Sequence, residues 1–344
     1  MEFINKINNC KFVLIAENND IFTDFSPYVP SINNKGVVSF QSYLKNGNSG
    51  IFYGNGYIIN KVIDTNNSIF GEFYSHPDIN DKNLFCVYGK LKNNQENLFL
   101  FDKSYIKDIT KNSNYFTNIG PLGPTMNEDG LIAFRGFFKE KESGVFISKE
   151  NSFELIADTS NIFSDFYGLP FINNNGNVLF RANLKNGNQS IYIMKKGNLE
   201  NIIDTSNFFL NIGFFPNMND NEKIIFNATL KSGEEGIFTI TNGKIERFID
   251  NKNSNFEAFR GAIINKNDKI IFYAVPKSNK SEKNLGVYKG FDPHLDKIIA
   301  IGDTFLDSKI IDFALNPVSI NDFNQIAIRI KLENNKQFIF RVDF

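Results

Sequence analysis

Apolar and polar residues alternate in short runs along this chain, and one run recurs throughout it. Asn173-Asn174-Asn175-Gly176-Asn177-Val178-Leu179-Phe180-Arg181 is a turn followed by a strand of period two, which continues to Leu184. Lys185-Asn186-Gly187-Asn188 is a hairpin signal, and Ser190–Met194 reads as the next strand. Lys195-Lys196-Gly197-Asn198 turns the chain again, and Leu199–Ile203 is a further strand closed by Asp204-Thr205. Ahead of the run, Ile162–Tyr167 leads through Pro170 to Ile172-Asn173, a first strand ending at the turn. The repeat thus predicts four short antiparallel strands joined by Gly and Asn turns. No stretch carries a helical period.

The first residue of this turn recurs as Asn33, Asn80, Asn127, Asn173, Asn219, Asn265 and Asn321, with spacings of 47, 47, 46, 46, 46 and 56. A fixed period in this range marks a solenoid, a propeller or an array. Solenoids of leucine-rich or hexapeptide type have shorter repeats, and helical repeats need a periodicity that is absent. The expected fold is therefore all-β: a seven-bladed β-propeller of four-stranded antiparallel blades. Residues 1–344 form one domain, with blades at about 21–67, 68–113, 114–160, 161–206, 207–253, 254–304 and 305–344. The seventh copy stops after three strands. Lys11-Phe12-Val13-Leu14-Ile15-Ala16 within residues 1–20 matches fourth strands such as Lys61–Thr65, so it is expected to complete the last blade and close the ring.

The turn followed by apolar–x–Phe, then a Gly hairpin and Ile-Tyr or Ile-Phe, resembles TolB-type propeller repeats. More closely it resembles a bacterial tandem-repeat propeller family with N-x-x-G-x-V-x-F blades. The resemblance covers residues 11–344 and implies a fold without a catalytic motif. Copies two, six and seven depart from it, with Asn83, Asp268 and Asn324 in place of the turn Gly; Asn and Asp tolerate the left-handed conformation.

Aligned copies give columns. The residue after the strand Phe reads Gln41, Tyr88, Arg135, Arg181, Asn227, Tyr273 and Arg329. Arginines between packed blades need partners, and the Asp residues that end fourth strands (Asp64, Asp158 and Asp204 among them) are the expected ones, making structural inter-blade bridges. Eight or nine residues before each anchor, the column reads Asp24, Glu72, Asn118, Asp165, Asn211, Glu257 and Asp312. This acidic column sits where first strands begin, as a solvated face, a set of backbone caps or a cation site that would suit calcium. Nearer the turn, Arg260 and His76 depart most from the repeat. His76 is either a satisfied strand-end histidine or a base, and Arg260 pairs with Glu257 or with a carboxylate of the next blade. The sharper alternative brings Glu72, His76, Glu257 and Arg260 together at the channel mouth as catalytic candidates. Tyr28, Tyr74 and Tyr167 would then be the walls, with Asp165 and Asp312 as further ligand-binding candidates. The sixth copy also carries insertions, a basic Lys277/Lys280/Lys283 loop and a long turn over Gly290–Asp296.

Composition narrows the function. A formal net charge of −1 gives no nucleic-acid footprint, and no apolar run is long enough for a membrane span. The apolar share leans on 38 Phe with no Trp, which disfavours a sugar-stacking lectin. Cys10 and Cys86 make no disulfide framework and Phe12–Ala16 is too short for a signal-peptide core, so a cytoplasmic protein is expected. With two His and no metal, nucleotide or nucleophile motif, no cofactor is expected. The composition and columns point to a non-catalytic binding propeller for a small molecule, protein or peptide at the channel mouth or loop face. The alternative is an enzyme (lyase, hydrolase, cyclase or carbon–carbon bond-forming) with its site on the axis.

Overall fold

Seven antiparallel sheets of short strands stand around a common axis in the computed structural model, which describes residues 4–102, 104–111, 115–138, 142–150, 152–277 and 284–344. Blade 4 shows the plan: Phe163–Ile172, Val178–Leu184, Gln189–Lys195 and Asn198–Asp204 pair in order from the axis outwards. In blades 1, 2, 3 and 5 the first strand is broken into two short pieces, both paired with the second strand. This is the expected seven-bladed propeller.

Ring closure also follows expectation. Cys10–Glu17 pairs with Gln337–Asp343 and so stands fourth in blade 7. A bulge at Leu14/Ala16 marks this pairing, and a bulge lies in the matching third-to-fourth pairing of blades 1, 3, 4, 5 and 6. The closing segment is more than one strand, because Ile4–Ile7 pairs outside Cys10–Glu17 as a hairpin. Phe12 is fully buried, with ring centroids 5.4 Å from Phe305 and 5.8 Å from Phe340.

The anchor asparagines explain the repeat. Each is buried, and each uses its Oδ1 to accept the backbone N–H groups two and four residues on, as Asn173 does from Asn175 and Asn177. Each Nδ2 then donates to the backbone carbonyl of the next anchor. The bonds run Asn33 to Asn80 (3.0 Å), Asn80 to Asn127 (3.2 Å), Asn127 to Asn173 (3.2 Å) and Asn173 to Asn219 (3.3 Å). They continue from Asn219 to Asn265 (3.2 Å), Asn265 to Asn321 (3.0 Å) and Asn321 back to Asn33 (3.0 Å). The cycle draws the base of the channel together.

The turn Gly is replaced in one more copy than the sequence reading recognised. Glu222 adopts φ 60°, like Asn83, Asp268 and Asn324. Glu gains no intrinsic ease there, but its carboxylate is held by Lys195 and by Asn177 Nδ2 at 3.1 Å. In the sixth-copy insertions, Lys280 and Lys283 lie outside the described residues. Lys277 Nζ donates to the Ser254 carbonyl at 2.8 Å. The Gly290–Asp296 turn is built on Asp292, whose carboxylate accepts from His294 N and Leu295 N.

Candidate functional site

First strands converge on the axis, so their inward residues meet there. Above the asparagine cycle they enclose a chamber of about 420 Å³. The column four residues before each anchor reads Val29, His76, Gly123, Leu169, Phe215, Gly261 and Pro317, and all but Gly123 line the chamber. A β-carbon at Gly123 would overlap the His76 ring, so the glycine makes room for it. Tyr28, Leu122, Arg260 and Asn316 come from the next position out, with Tyr74, Ile263, Tyr273 and Leu315 completing much of the wall. The wall is mainly apolar. The repeat carried a signal for Val29, Leu169, Phe215 and Pro317, a column of uncharged residues at constant offset.

Of the four catalytic candidates, the chamber takes His76 and Arg260. Glu72 and Glu257 are not part of its wall. His76 is almost fully buried, and its Nε2 lies 3.1 Å from the Pro124 carbonyl. A carbonyl only accepts, so Nε2 carries the proton, and Nδ1 faces Asn316 Nδ2 at 3.5 Å. Burial pulls the imidazole pKa down to about 4, against the opposing pull of the Pro124 and Leu122 carbonyls. It is a neutral histidine at neutral pH. Tyr28 and Tyr74 line the chamber, and burial raises both phenol pKa values.

Arg260 reaches a carboxylate of the preceding blade rather than of the next. Its Nη1 donates to Glu235 Oε1 of the preceding blade at 3.2 Å and to the Phe259 carbonyl at 3.2 Å. Bulges at Phe256/Ala258 and Phe259/Gly261 interrupt the strand's alternation around both Glu257 and Arg260.

The expected bridges between strand-two arginines and fourth-strand aspartates do not form. Fourth strands are outermost in their blades, and their Asp residues cap the turn they begin. Asp64, Asp158 and Asp204 accept from the N–H of Asn66, Ser160 and Ser206, and Asp64 pairs with Lys61 at 2.8 Å. The arginines stand near the axis and reach first strands instead. Arg329 Nη2 bonds Asp312 at 2.8 Å while Nη1 donates to Ser26 Oγ of blade 1. Arg135 donates to the Gly168 carbonyl of blade 4 at 3.4 Å and has Asp165 at 3.9 Å. Arg181 bonds Asn183 at 2.8 Å and stands over the rings of Tyr167 (4.8 Å) and Phe214 (5.3 Å), so Tyr167 serves the inter-blade packing. Asp165 and Asp312 therefore have arginine partners, and Asp24 caps Ser26 N at 2.6 Å. Among the described residues no group of three or more His, Cys, Asp or Glu side chains could hold a metal ion, and no helix is long and apolar enough to cross a membrane.

Residues 104–338 match DUF7453, described as a family of unknown function. No curated protein matches the sequence. Solved structures share the fold. The oligogalacturonate lyase of Vibrio parahaemolyticus superposes with a TM-score of 0.62 at 10% identity, over 100% of this chain and 96% of that one. The β-propeller domain of the trilobed protease of Pyrococcus furiosus, described as having an open velcro topology, gives 0.58 at 12% identity over 96% and 93%. TolB of Acinetobacter baumannii also matches, at 0.44 and 12% identity over 85% and 76%, too low a score to build on. At these identities the likeness concerns the fold alone.

Proposed function

Because the chain belongs to DUF7453, a family of unknown function, its role has to be argued from its own geometry, and we propose a binding propeller that holds a small, largely apolar molecule on its axis. The observation that carries this reading is the chamber. It is concave, mostly apolar, supplied by all seven blades, and at about 420 Å³ within the size range of small-ligand pockets. Two features favour binding over acid–base catalysis. His76 is held neutral with its Nε2–H donated to the Pro124 carbonyl, a poor base at neutral pH. The carboxylates that could act beside it, Glu72 and Glu257, stand outside the wall.

The test is ligand retention. Native mass spectrometry of gently purified protein, followed by denaturation, reads any bound small molecule. Leu315→Trp places a larger side chain in the chamber, on a partly exposed residue. The expected outcome is a ligand on the wild type that the variant has lost, with both melting cooperatively. Equal retention by the two proteins would place the ligand elsewhere and overturn the reading.

A further inference from the structure

We propose that the molecule held in the chamber is an apolar carboxylic acid, its hydrocarbon or aryl body against the wall and its carboxylate on Arg260. This rests on the binding reading above and adds the ligand's charge and orientation. Among the described residues, the chamber wall contains no Asp or Glu, and Arg260 is its one charged side chain with His76 neutral. A cation inside would meet a positive group, with Glu235 already on Arg260 and with Glu72 and Glu96 reaching the wall tyrosines from outside the wall, whereas an anion would meet a guanidinium. Arg260 also interrupts its column, where the other blades carry Tyr28, Ser75, Leu122, Gly168, Phe214 and Asn316.

The present partner of Arg260 does not hold it firmly. The pair with Glu235 is a single 3.2 Å contact, and the Arg260 side chain is 59% exposed; ion pairs this open to solvent contribute little. Both bonds of Arg260 use Nη1, which leaves the Nη2 and Nε edge of the fork for a carboxylate. The nearby rim carboxylates do not cancel this preference. Asp165 and Asp312 are already beside Arg135 and Arg329, and Glu72 and Glu257 are not in the wall. At about 420 Å³ the chamber is of a size for a small ligand.

The test uses three probes that share a benzophenone core on the full chain: benzophenone, 4-benzoylbenzoate and 4-(aminomethyl)benzophenone, which are neutral, anionic and cationic at neutral pH. Calorimetry gives affinities, and irradiation attaches each ketone to the C–H bonds around it for mapping by mass spectrometry. The acid is expected to bind about tenfold or more tighter than benzophenone, as a charge-assisted hydrogen bond provides, and the amine more weakly than either. Labels should fall on Leu122, Leu169 or Leu315. Arg260→Gln should erase the preference for the acid over benzophenone, while Glu235→Gln, which frees Arg260, should tighten the acid severalfold. Benzophenone binding and labelling in the chamber with no gain for the acid, or a gain that survives Arg260→Gln, overturns the carboxylate proposal and leaves the chamber reading standing. Absence of binding by all three probes, or labels only outside the chamber, overturns both.

Discussion

Two positions ahead of the anchor, blades 1, 3, 5 and 7 carry Ser31, Thr125, Asn217 and Ser319, and each donates a hydrogen bond to a carbonyl of the following blade. Asp78 occupies this position in blade 2 and, when ionised, has nothing to donate. It accepts from Met126 N at 2.7 Å and from Ile79 N at 2.8 Å, and burial pushes its pKa up to about 7. The native state therefore keeps a proton there that the unfolded chain releases near its ordinary value of 3.8, so this group's contribution to stability is full at low pH and is lost as pH rises toward 7. His76 runs the other way: its native pKa lies below the ordinary 6.5, so its contribution is lost as pH falls toward 4. The difference between wild type and Asp78→Asn isolates the first effect. Asn217 shows that an amide fits the position, giving one bond to the Ala262 carbonyl and taking one from Ile264 N. The stability gained by Asp78→Asn should grow between pH 4 and pH 7 by on the order of 4 kcal/mol, read by urea unfolding at each pH. A pH-independent difference would mean that Asp78 is solvated. The sequence exposed His76 as unusual but not its neutrality, because its burial depends on Gly123 of the neighbouring blade. Arg260 was likewise visible as a departure, while its partner Glu235 belongs to another copy of the repeat.

Within each blade, the turn was the most legible element. Asn at the start and a left-handed residue three places on fix a local geometry that depends on neighbours in sequence. The strands followed from alternation. What the spacing could not show is where the anchor Nδ2 points, since its acceptor is one whole repeat away. That second task makes the anchor more than a turn former. Asn173→Ala removes two accepted bonds and one donated bond in a buried setting. At about 1 kcal/mol per net bond the loss should be roughly 3 kcal/mol. Asn186 makes only an exposed bond to Asn188 N at 3.0 Å, and Asn186→Ala should cost less than about 1 kcal/mol. Equal effects in denaturant melts would remove the asparagine cycle from the account of stability. The arginine column failed as a sequence inference for a related reason. Alignment placed arginine in three blades and aspartate at the end of many fourth strands without saying that one column lies near the axis and the other at the rim.

Over the whole molecule, closure rests on an interface between distant parts of the chain. Phe12 is buried against Phe305 and Phe340, so Phe12→Ala should cost about 3–5 kcal/mol, the usual range for a buried Phe. Phe323 is 68% exposed, and Phe323→Ala should be silent in the same calorimetric scan. A mild effect at Phe12 would show that the ring holds without its closing strand. The number of blades and the manner of closure were legible because both follow from counting strands; the chamber was not, because its wall is assembled from residues of all seven distant copies. The asparagine cycle has a consequence for how the sequence can vary. A linear array of repeats has two ends and needs dedicated capping units to hide them. Here every donor at the base has its acceptor in the following blade and the last points back to the first, so no blade has to serve as a cap. With the joints all alike at one end of the channel, the residues at the other end are released from sameness. A histidine, an arginine and a phenylalanine can each stand in a single blade there, which is how a sevenfold scaffold comes to carry an asymmetric cavity.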